Sequence, residues 1–340
     1  MFAHQFEEKL ANLNPVHHWF NFNLLVAVSG GPDSVALLLA LQSIHRQLFG
    51  STDAANQFPG KIFVGHINHG IRGAASDEDQ QFVQKLATQL GISFETVVLQ
   101  PDGNESNRGQ GLEAKLRSRR YAAFEQLANR VGARIVFTGH NKNDQAETVL
   151  FRILRGTGIS GLASIPYQRK LNQHVTVTRP LLSMTRLEIE SYLRDMNQSF
   201  RIDETNTSDQ FTRNRLRHDV LPMLDQHFGN DVSESLAGLA ELASEQGVLL
   251  SKLLAPLLQS HVTVQPNQIV INTKNLTREP LIVRSLIRAA WAETNFPTID
   301  MNHKKWSSLA DFILDPHHSP IQLPGNIRVE HDGEQVRLTR

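Results

Sequence analysis

The chain has 340 residues, with 34 Lys+Arg balanced by 34 Asp+Glu, 40% hydrophobic residues and no cysteine. That length suits about two domains of roughly 150 residues, each able to bury its own core, and the missing cysteine excludes disulfide scaffolds, thiolate zinc sites, iron–sulfur clusters and persulfide-carrying mechanisms. A net charge of zero gives no global sign of nucleic acid, while the lack of a signal sequence or an apolar run of about 18 residues makes a soluble, cytoplasmic protein with no membrane partner the expectation.

In chain order, residues 24–28 read as a first buried strand, followed by a turn and an apolar helix over 34–49. Strands at 61–66, 94–99 and 134–139 alternate with helices at 76–90, 112–131 and 143–155. Strands about 35 residues apart, with helices between them, are what right-handed βαβ crossovers require. The expected fold class is therefore α/β, a Rossmann-like parallel sheet with flanking helices. After Pro166 the pattern weakens: 179–182 ends a strand, 186–196 is helical, and 201–217 is polar and dense in charge. From Asp219 the reading is mainly helical, over 236–243 and 248–258. A strand pair at 268–271 and 326–329 closes the chain, with a helix at 281–291 between them. Pro222 and Gly229 place a boundary near 222–232, giving domains over 1–222 and 230–340, the second smaller and mainly helical.

The sharpest motif is Ser29-Gly30-Gly31-Pro32-Asp33-Ser34, directly after a strand and opening a helix. Two glycines let consecutive N–H groups turn into an anion nest, and the helix N-terminus adds partial positive charge, which suits a pyrophosphate. It is not a Walker A loop, since no lysine is present. The plainer reading is a strand-to-helix turn with Asp33 or Ser34 as a cap. Gly156-Thr157-Gly158-Ile159-Ser160-Gly161 fits the dinucleotide fingerprint by letter. It follows a predicted helix where the fingerprint needs a strand, so a dehydrogenase is not expected.

Asp144 and Glu147 are three apart on the helix after the fourth strand and share a face. With Asp33 they put three carboxylates at one sheet edge, suited to Mg²⁺ or a cationic group. Acids at a helix start also stabilise its dipole, which is the plainer account of Glu147. His66, His69 and His140 lie at strand ends without the spacing of a zinc site, and read as substrate contacts or buried hydrogen-bonded histidines. Residues 108–134 carry seven Lys/Arg against two Glu, and Arg213, Arg215 and Arg217 cluster without an acid. Such runs are usually solvated faces, but Arg117 and Arg120 share a helix face able to grip a phosphate or carboxylate.

Together these segments resemble the tRNA(Ile)-lysidine synthetases of the PP-loop ATP pyrophosphatase superfamily. Residues 29–34 match the SGGxDS loop, and His66-Ile67-Asn68-His69-Gly70-Ile71-Arg72 the H-x-N-H-x-L-R stretch. Residues 113–121 match E-A-x-A-R-x-x-R-Y apart from Leu116, and 139–162 the G-H-H-x-D-D-Q-A-E-T…R-G-x-G…G-L block. Arg179-Pro180-Leu181-Leu182, Asp203-Glu204-Thr205-Asn206 and Arg213-Asn214-Arg215-Leu216-Arg217 follow in family order. Two departures are Asn141 and Asn143, where the family usually has His and a first Asp; Asn143 would offer a neutral oxygen in that acid's place. The chain also ends where many members continue, as a short form lacking the last C-terminal domain or a chain cut before it.

The resemblance implies an adenine nucleotide alpha hydrolase-like fold and a ligase. With ATP and Mg²⁺, such an enzyme adenylates C2 of the wobble cytidine in the CAU anticodon of tRNA(Ile). L-lysine then displaces AMP to give lysidine. It further implies ATP phosphates on 29–34, metal on Asp33 and Asp144, and Asp33, Asp144 and Glu147 as the catalytic acids. His66, His69, Arg72, Arg117, Arg120, His140, Arg155, Arg213 and Arg217 become candidate contacts to substrate or phosphate, and 230–340 a tRNA-binding domain; a homodimer is one assembly considered. The alternatives are a PP-loop tRNA thiolase, disfavoured by the absent cysteine, an amidating ligase, and a non-catalytic tRNA- or nucleotide-binding protein.

Overall fold

A computed structural model describes residues 2–50, 59–68, 70, 73–99, 110–201, 214–229, 231–315 and 320–340. The chain divides into two compact units, Met1–Ser244 and Glu245–Arg340.

The first unit begins with α1 (Phe2–Leu13) and α2 (Val16–Trp19). The alternation read from the sequence follows: β1 (Asn23–Ala27), α3 (Pro32–Phe49), β2 (Ile62–Asn68), α4 (Ala74–Leu90), β3 (Ser93–Val98), α5 (Gln110–Val131), β4 (Ala133–Phe137) and α6 (Lys142–Leu154). Beyond it lie α7 (Ile159–Leu162), the short strands β5 (Gln168–Lys170) and β6 (Thr176–Thr178), a 3₁₀ turn (Pro180–Ser183) and α8 (Arg186–Asp195). The six strands form one sheet in the order β3-β2-β1-β4-β6-β5, parallel except for β5, which runs antiparallel to β6.

Both faces are covered, as a parallel sheet requires. Side chains alternate along each strand. Leu24, Val26, Ile62 and Val64 pack with α1, α3, α4 and α8, whereas Leu25, Val136 and Val177 pack with Phe124, Leu127 and Ala128 of α5. The glycine-rich segment 156–161 follows helix α6, as its context demanded, and lacks the strand a dinucleotide fingerprint needs.

Neither residue read as a boundary marker breaks the unit. A π-helical turn (Leu216–Val220) runs into α9 (Leu221–Phe228). There Pro222 sits in the first turn, where its missing N–H matters little, and Gly229 closes the helix in the left-handed conformation at φ 64°. The two helical stretches predicted over 236–258 are one helix, α10 (Val232–His261), and the division into units falls within it.

In the second unit helices account for more residues than strands, as expected of a mainly helical domain, but the one strand pair expected there is part of a larger sheet. Its sheet has five antiparallel strands, β7 (Val262–Gln265), β8 (Gln268–Asn272), β9 (Ile321–Leu323), β10 (Ile327–Asp332) and β11 (Gln335–Thr339), ordered β7-β8-β11-β10-β9. The two strands read from the sequence, β8 and β10, both pair with β11 rather than with each other. Helices α11 (Pro280–Ala292) and α12 (His303–Leu314) share a core with this sheet, centred on Trp291, Leu309, Phe312 and Ile327.

Candidate functional site

The strand order reverses between β1 and β4. In open α/β sheets the crevice at the carboxyl ends of such strands is where ligands bind. Residues 28–34 leave β1 there and residues 138–141 leave β4.

The Ser29–Ser34 loop is held by its own hydroxyls. Ser29 N donates to Ser34 Oγ at 3.1 Å, the two hydroxyls lie 3.2 Å apart, and Ser34 Oγ donates to Gly31 O at 3.0 Å. Gly30 adopts φ +99°, a conformation that would strain any residue with a Cβ. Its carbonyl accepts from Arg201 N at 2.9 Å, and the Arg201 side chain is anchored on Asp79 and Glu78. No side chain caps α3 and Pro32 opens it, so the first-turn N–H groups and the positive end of the helix dipole remain available to an anion. Gly139 is why the β4 loop can reach this turn. A Cβ there would lie 2.9 Å from Asp33 C and 3.0 Å from Ser34 N.

The three carboxylates predicted to converge do so, through Asn141. This fully buried residue caps α6: its Oδ1 accepts from Asp144 N at 2.9 Å, and Asp144 Oδ2 accepts from Asn141 N at 3.0 Å. Its Nδ2 donates to Asp33 Oδ1 at 2.8 Å. One amide thus joins acids from two distant parts of the chain. Two guanidiniums offset their charge. Arg217 grips both acids of α6, Nη2 to Asp144 at 3.0 Å and Nε to Glu147 at 2.5 Å, and Arg186 Nη2 lies 3.7 Å from Asp33 Oδ2.

Burial raises the Asp33 carboxyl above its ordinary value and the neighbouring Asp144 charge adds to this, against Arg186 and the Asn141 bond. Burial also raises Glu147, 4% exposed, against the pull of Arg217. For Arg217 burial acts downward, but its bonds to Glu147 and the Asp144 charge prevail and hold it charged.

His140 stands beside these acids, its Nδ1 3.1 Å from Thr138 Oγ1. Burial pushes it down to about 4, with Asp144 opposing and Arg179, Arg120 and Arg117 reinforcing. The unfolded chain, titrating at the ordinary 6.5, therefore binds the extra proton first as pH falls. This group's contribution to stability is lost progressively from 6.5 down to about 4. The expected NMR titration shows a His140 ring still neutral well below 6.5; a midpoint at the ordinary value would contradict the packing described.

Other candidates fall elsewhere. His66 is 4% exposed and its Nδ1 lies 2.8 Å from Val28 O, tying β2 to the end of β1; this matches the buried, hydrogen-bonded reading. Arg155 caps the far end of α6, over the Phe151 ring, and at 1.5 Å per residue stands roughly 16 Å along the helix from Asp144. Arg117 and Arg120, on the first half of α5, are the exception: both charges bear on His140. Asn143 Oδ1 accepts from Arg186 N at 2.9 Å, so its oxygen satisfies the first N–H of α8, which Thr185 caps, instead of joining Asp33 and Asp144. His69, Arg72, Arg213 and the stretch 203–206 lie outside the described residues.

Asn141 and Arg186 were not anticipated as site residues. The Asn-x-x-Asp spacing of a capping box was a signal for Asn141; Arg186 carried none. Among the described residues no three His, Cys, Asp or Glu side chains form a metal cage. Mg²⁺ seldom needs one, since it usually takes one or two carboxylates together with phosphate oxygens. Asp33 and Asp144, two hard oxygen donors that repel each other beside an anion-binding turn, fit that pattern.

Residues 2–224 match the PP-loop domain family. The chain is 44% identical over 230 residues to the tRNA(Ile)-lysidine synthase of Symbiobacterium thermophilum, covering 68% of this chain and 45% of that protein. It is 34% identical to the same-named protein of Geobacter sulfurreducens over 98% of this chain and 69% of the relative, and 31% identical to that of Rhodopirellula baltica over 88% and 82%. The chain thus spans less than half of the first relative's length and about two thirds of the second's. Among solved structures, the U34-tRNA thiolase NcsA from Methanococcus maripaludis, with its 4Fe-4S cluster, shares the fold at a TM-score of 0.57 and 16% identity, over 72% of this chain and 79% of that one.

Proposed function

Because the chain belongs to the tRNA(Ile)-lysidine synthases of the PP-loop family, we propose that it uses ATP to join L-lysine to the wobble cytidine of tRNA(Ile) with the CAU anticodon. The observation that carries this reading is the convergence, at one switch point, of a phosphate-shaped turn and a carboxylate trio. In the first step the cytidine oxygen at C2 attacks the α-phosphorus of ATP and pyrophosphate leaves. The lysine ε-amine then forms the C–N bond at C2, AMP departs and the amine loses a proton.

Residues Ser29 to Ser34 bind and orient the phosphates, with the α3 N-terminus favouring negative charge. Asp33 and Asp144 are the pair that would hold Mg²⁺, which when bound offsets charge on the leaving pyrophosphate. Glu147 and Asp144, here satisfied by the Arg217 guanidinium, are chemically suited to a lysine ammonium. Asp144, Glu147 and neutral His140 are the available acceptors for the proton that lysine sheds. The second unit is proposed to contact tRNA. Among the described residues no helix is long and apolar enough to cross a membrane; cytoplasmic location and a homodimer rest on the family reading alone.

The expected result is ATP- and Mg²⁺-dependent incorporation of labelled lysine into tRNA(Ile) bearing CAU, and none into elongator methionine tRNA. Mass spectrometry of the wobble nucleoside identifies the product. ATP and tRNA binding without lysine-dependent AMP release would instead indicate a binding protein. Amidation of nicotinate adenine dinucleotide or xanthosine monophosphate with ammonia would indicate the other ligases. The thiolase alternative is disfavoured by a chain without cysteine.

A further inference from the structure

Three guanidiniums crowd around Tyr121 on α5. Arg179, 1% exposed, donates Nη2 to Tyr121 Oη at 3.1 Å and Nη1 to Pro166 O at 2.8 Å, and its buried Nε has no partner. Arg169 stands 4.6 Å from the centre of the Tyr121 ring and Arg117 5.7 Å from it. Among the described residues none of the three forms an ion pair with a carboxylate. Burying a charge without a counter-charge is costly. Here the buried cation has only a carbonyl and a phenol, with two more cations beside it. Burial would raise the Tyr121 phenol, yet Arg179, Arg117 and Arg169 together draw it below its ordinary value. Among the described residues, no carboxylate supplies the anion that this field would attract.

Its position separates it from the triphosphate turn. Tyr121 packs with the core on the α5 face of the sheet, while the Ser29–Ser34 loop opens α3, whose core is on the opposite face. Arg179 directly follows β6, at the same carboxyl edge as His140, and its charge bears on that ring. Arg169 lies on the antiparallel edge strand β5, where Gln168, Arg169 and Lys170 are all exposed. A cation row open along a sheet edge suits a polyanion passing across it better than an enclosed small anion.

We propose that Arg117 and Arg169 seat a backbone phosphodiester of the RNA substrate beside the reacting nucleotide, with Arg179 as a positioning residue that fixes Tyr121 and supplies charge from behind. The planar guanidinium fork matches the two free oxygens of a phosphodiester. This assignment rests on the RNA-modifying reading, and its test is arranged to separate the two.

Arg169→Ala removes an exposed side chain and leaves the core intact. The full chain and this variant are titrated with tRNA(Ile) transcript over a range of KCl concentrations, and with ATP alone. The variant is expected to bind RNA about five- to tenfold more weakly at low salt, with the slope of log K against log salt shallower by about 0.7, one single-stranded phosphate. ATP affinity is expected to stay within about twofold, and Arg169→Lys to keep the slope while losing part of the affinity. Ethylation of one phosphate near the wobble nucleotide should weaken the parent protein more than Arg169→Ala, which keeps only the Arg117 contact to it. An unchanged RNA slope in a protein that still forms lysidine overturns the phosphodiester site alone. Weakened ATP binding with RNA unchanged reassigns the cluster to nucleotide phosphate. A parent chain that binds no tRNA overturns both readings.

Discussion

Replacing Asp33 with Ala should lower lysidine formation by at least about a thousandfold while leaving the fold intact, an effect in the range of losing a principal electrostatic element of a transition state. No other acid sits in the anion-binding turn itself while also meeting the acids of α6, through Asn141. The accompanying stability measurement sharpens the test. Burial and Asp144 disfavour the ionised Asp33 in the free protein, so Asp33→Asn, which removes the charge and keeps a polar group, should melt no lower than the parent. Loss of activity at unchanged or higher Tm is the pattern of a residue kept for function at a cost in stability. Thermal melts and labelled-lysine turnover on the same preparations check both halves. Retained activity in Asp33→Ala would remove the metal assignment.

Much of this site was legible in one dimension because its parts are local. The Ser29–Ser34 turn is six consecutive residues between a strand and a helix, and Asp144 and Glu147 share a face by helical spacing alone. The first unit was legible for a similar reason: buried parallel strands such as 24–28 are continuous apolar runs, distinct from the helices between them. Connections made across the fold carried no such signal. Asn141 and Asp33 are 108 positions apart and meet only because β1 and β4 are neighbours in the sheet. Arg186 reaches Asp33 from a helix whose start is tied to Asn143, and Arg179, although part of the Arg179–Leu182 match, is singled out as a buried cation only by the fold. Arg155 is the converse, a plausible phosphate contact by motif that α6 carries away from the acids. In the second unit β9, three residues long, is too brief to stand out from turns, whereas β11 alternates Gln335, Arg337 and Thr339 with Val336 and Leu338, the period of a half-buried strand and so legible in the sequence.

Asn141 is where the next largest effect is expected, and there the substituent decides the outcome. Asn141→Ala loses a cap, worth about 0.5–2 kcal/mol, and leaves Asp33 without its buried donor, which adds about 1–3 kcal/mol. Asn141→Asp keeps the acceptor that caps α6 but replaces the amide donor 2.8 Å from Asp33 with another carboxylate, in a position with no exposure. Like charges so placed cannot both ionise, so one of the pair must hold a proton well above the ordinary carboxylate range. The sign of the linkage follows: a carboxyl with a raised folded-state pKa gives stability that is present below its unfolded value and lost as pH rises through the folded one. Asn141→Asp should therefore fall furthest below the parent near neutral pH and close the gap on acidification, and Asn141→Ala, which loses the bond that holds Asp33 down, should show the same trend to a smaller extent. Millimolar Mg²⁺ should raise the Tm of Asn141→Asp more than that of the parent, because a divalent cation between Asp33 and Asp144 would also neutralise the added charge. Melting curves for the three proteins across pH, with and without Mg²⁺, make the comparison. Equal Mg²⁺ shifts in parent and Asn141→Asp would show that the carboxylate trio is not where the cation binds.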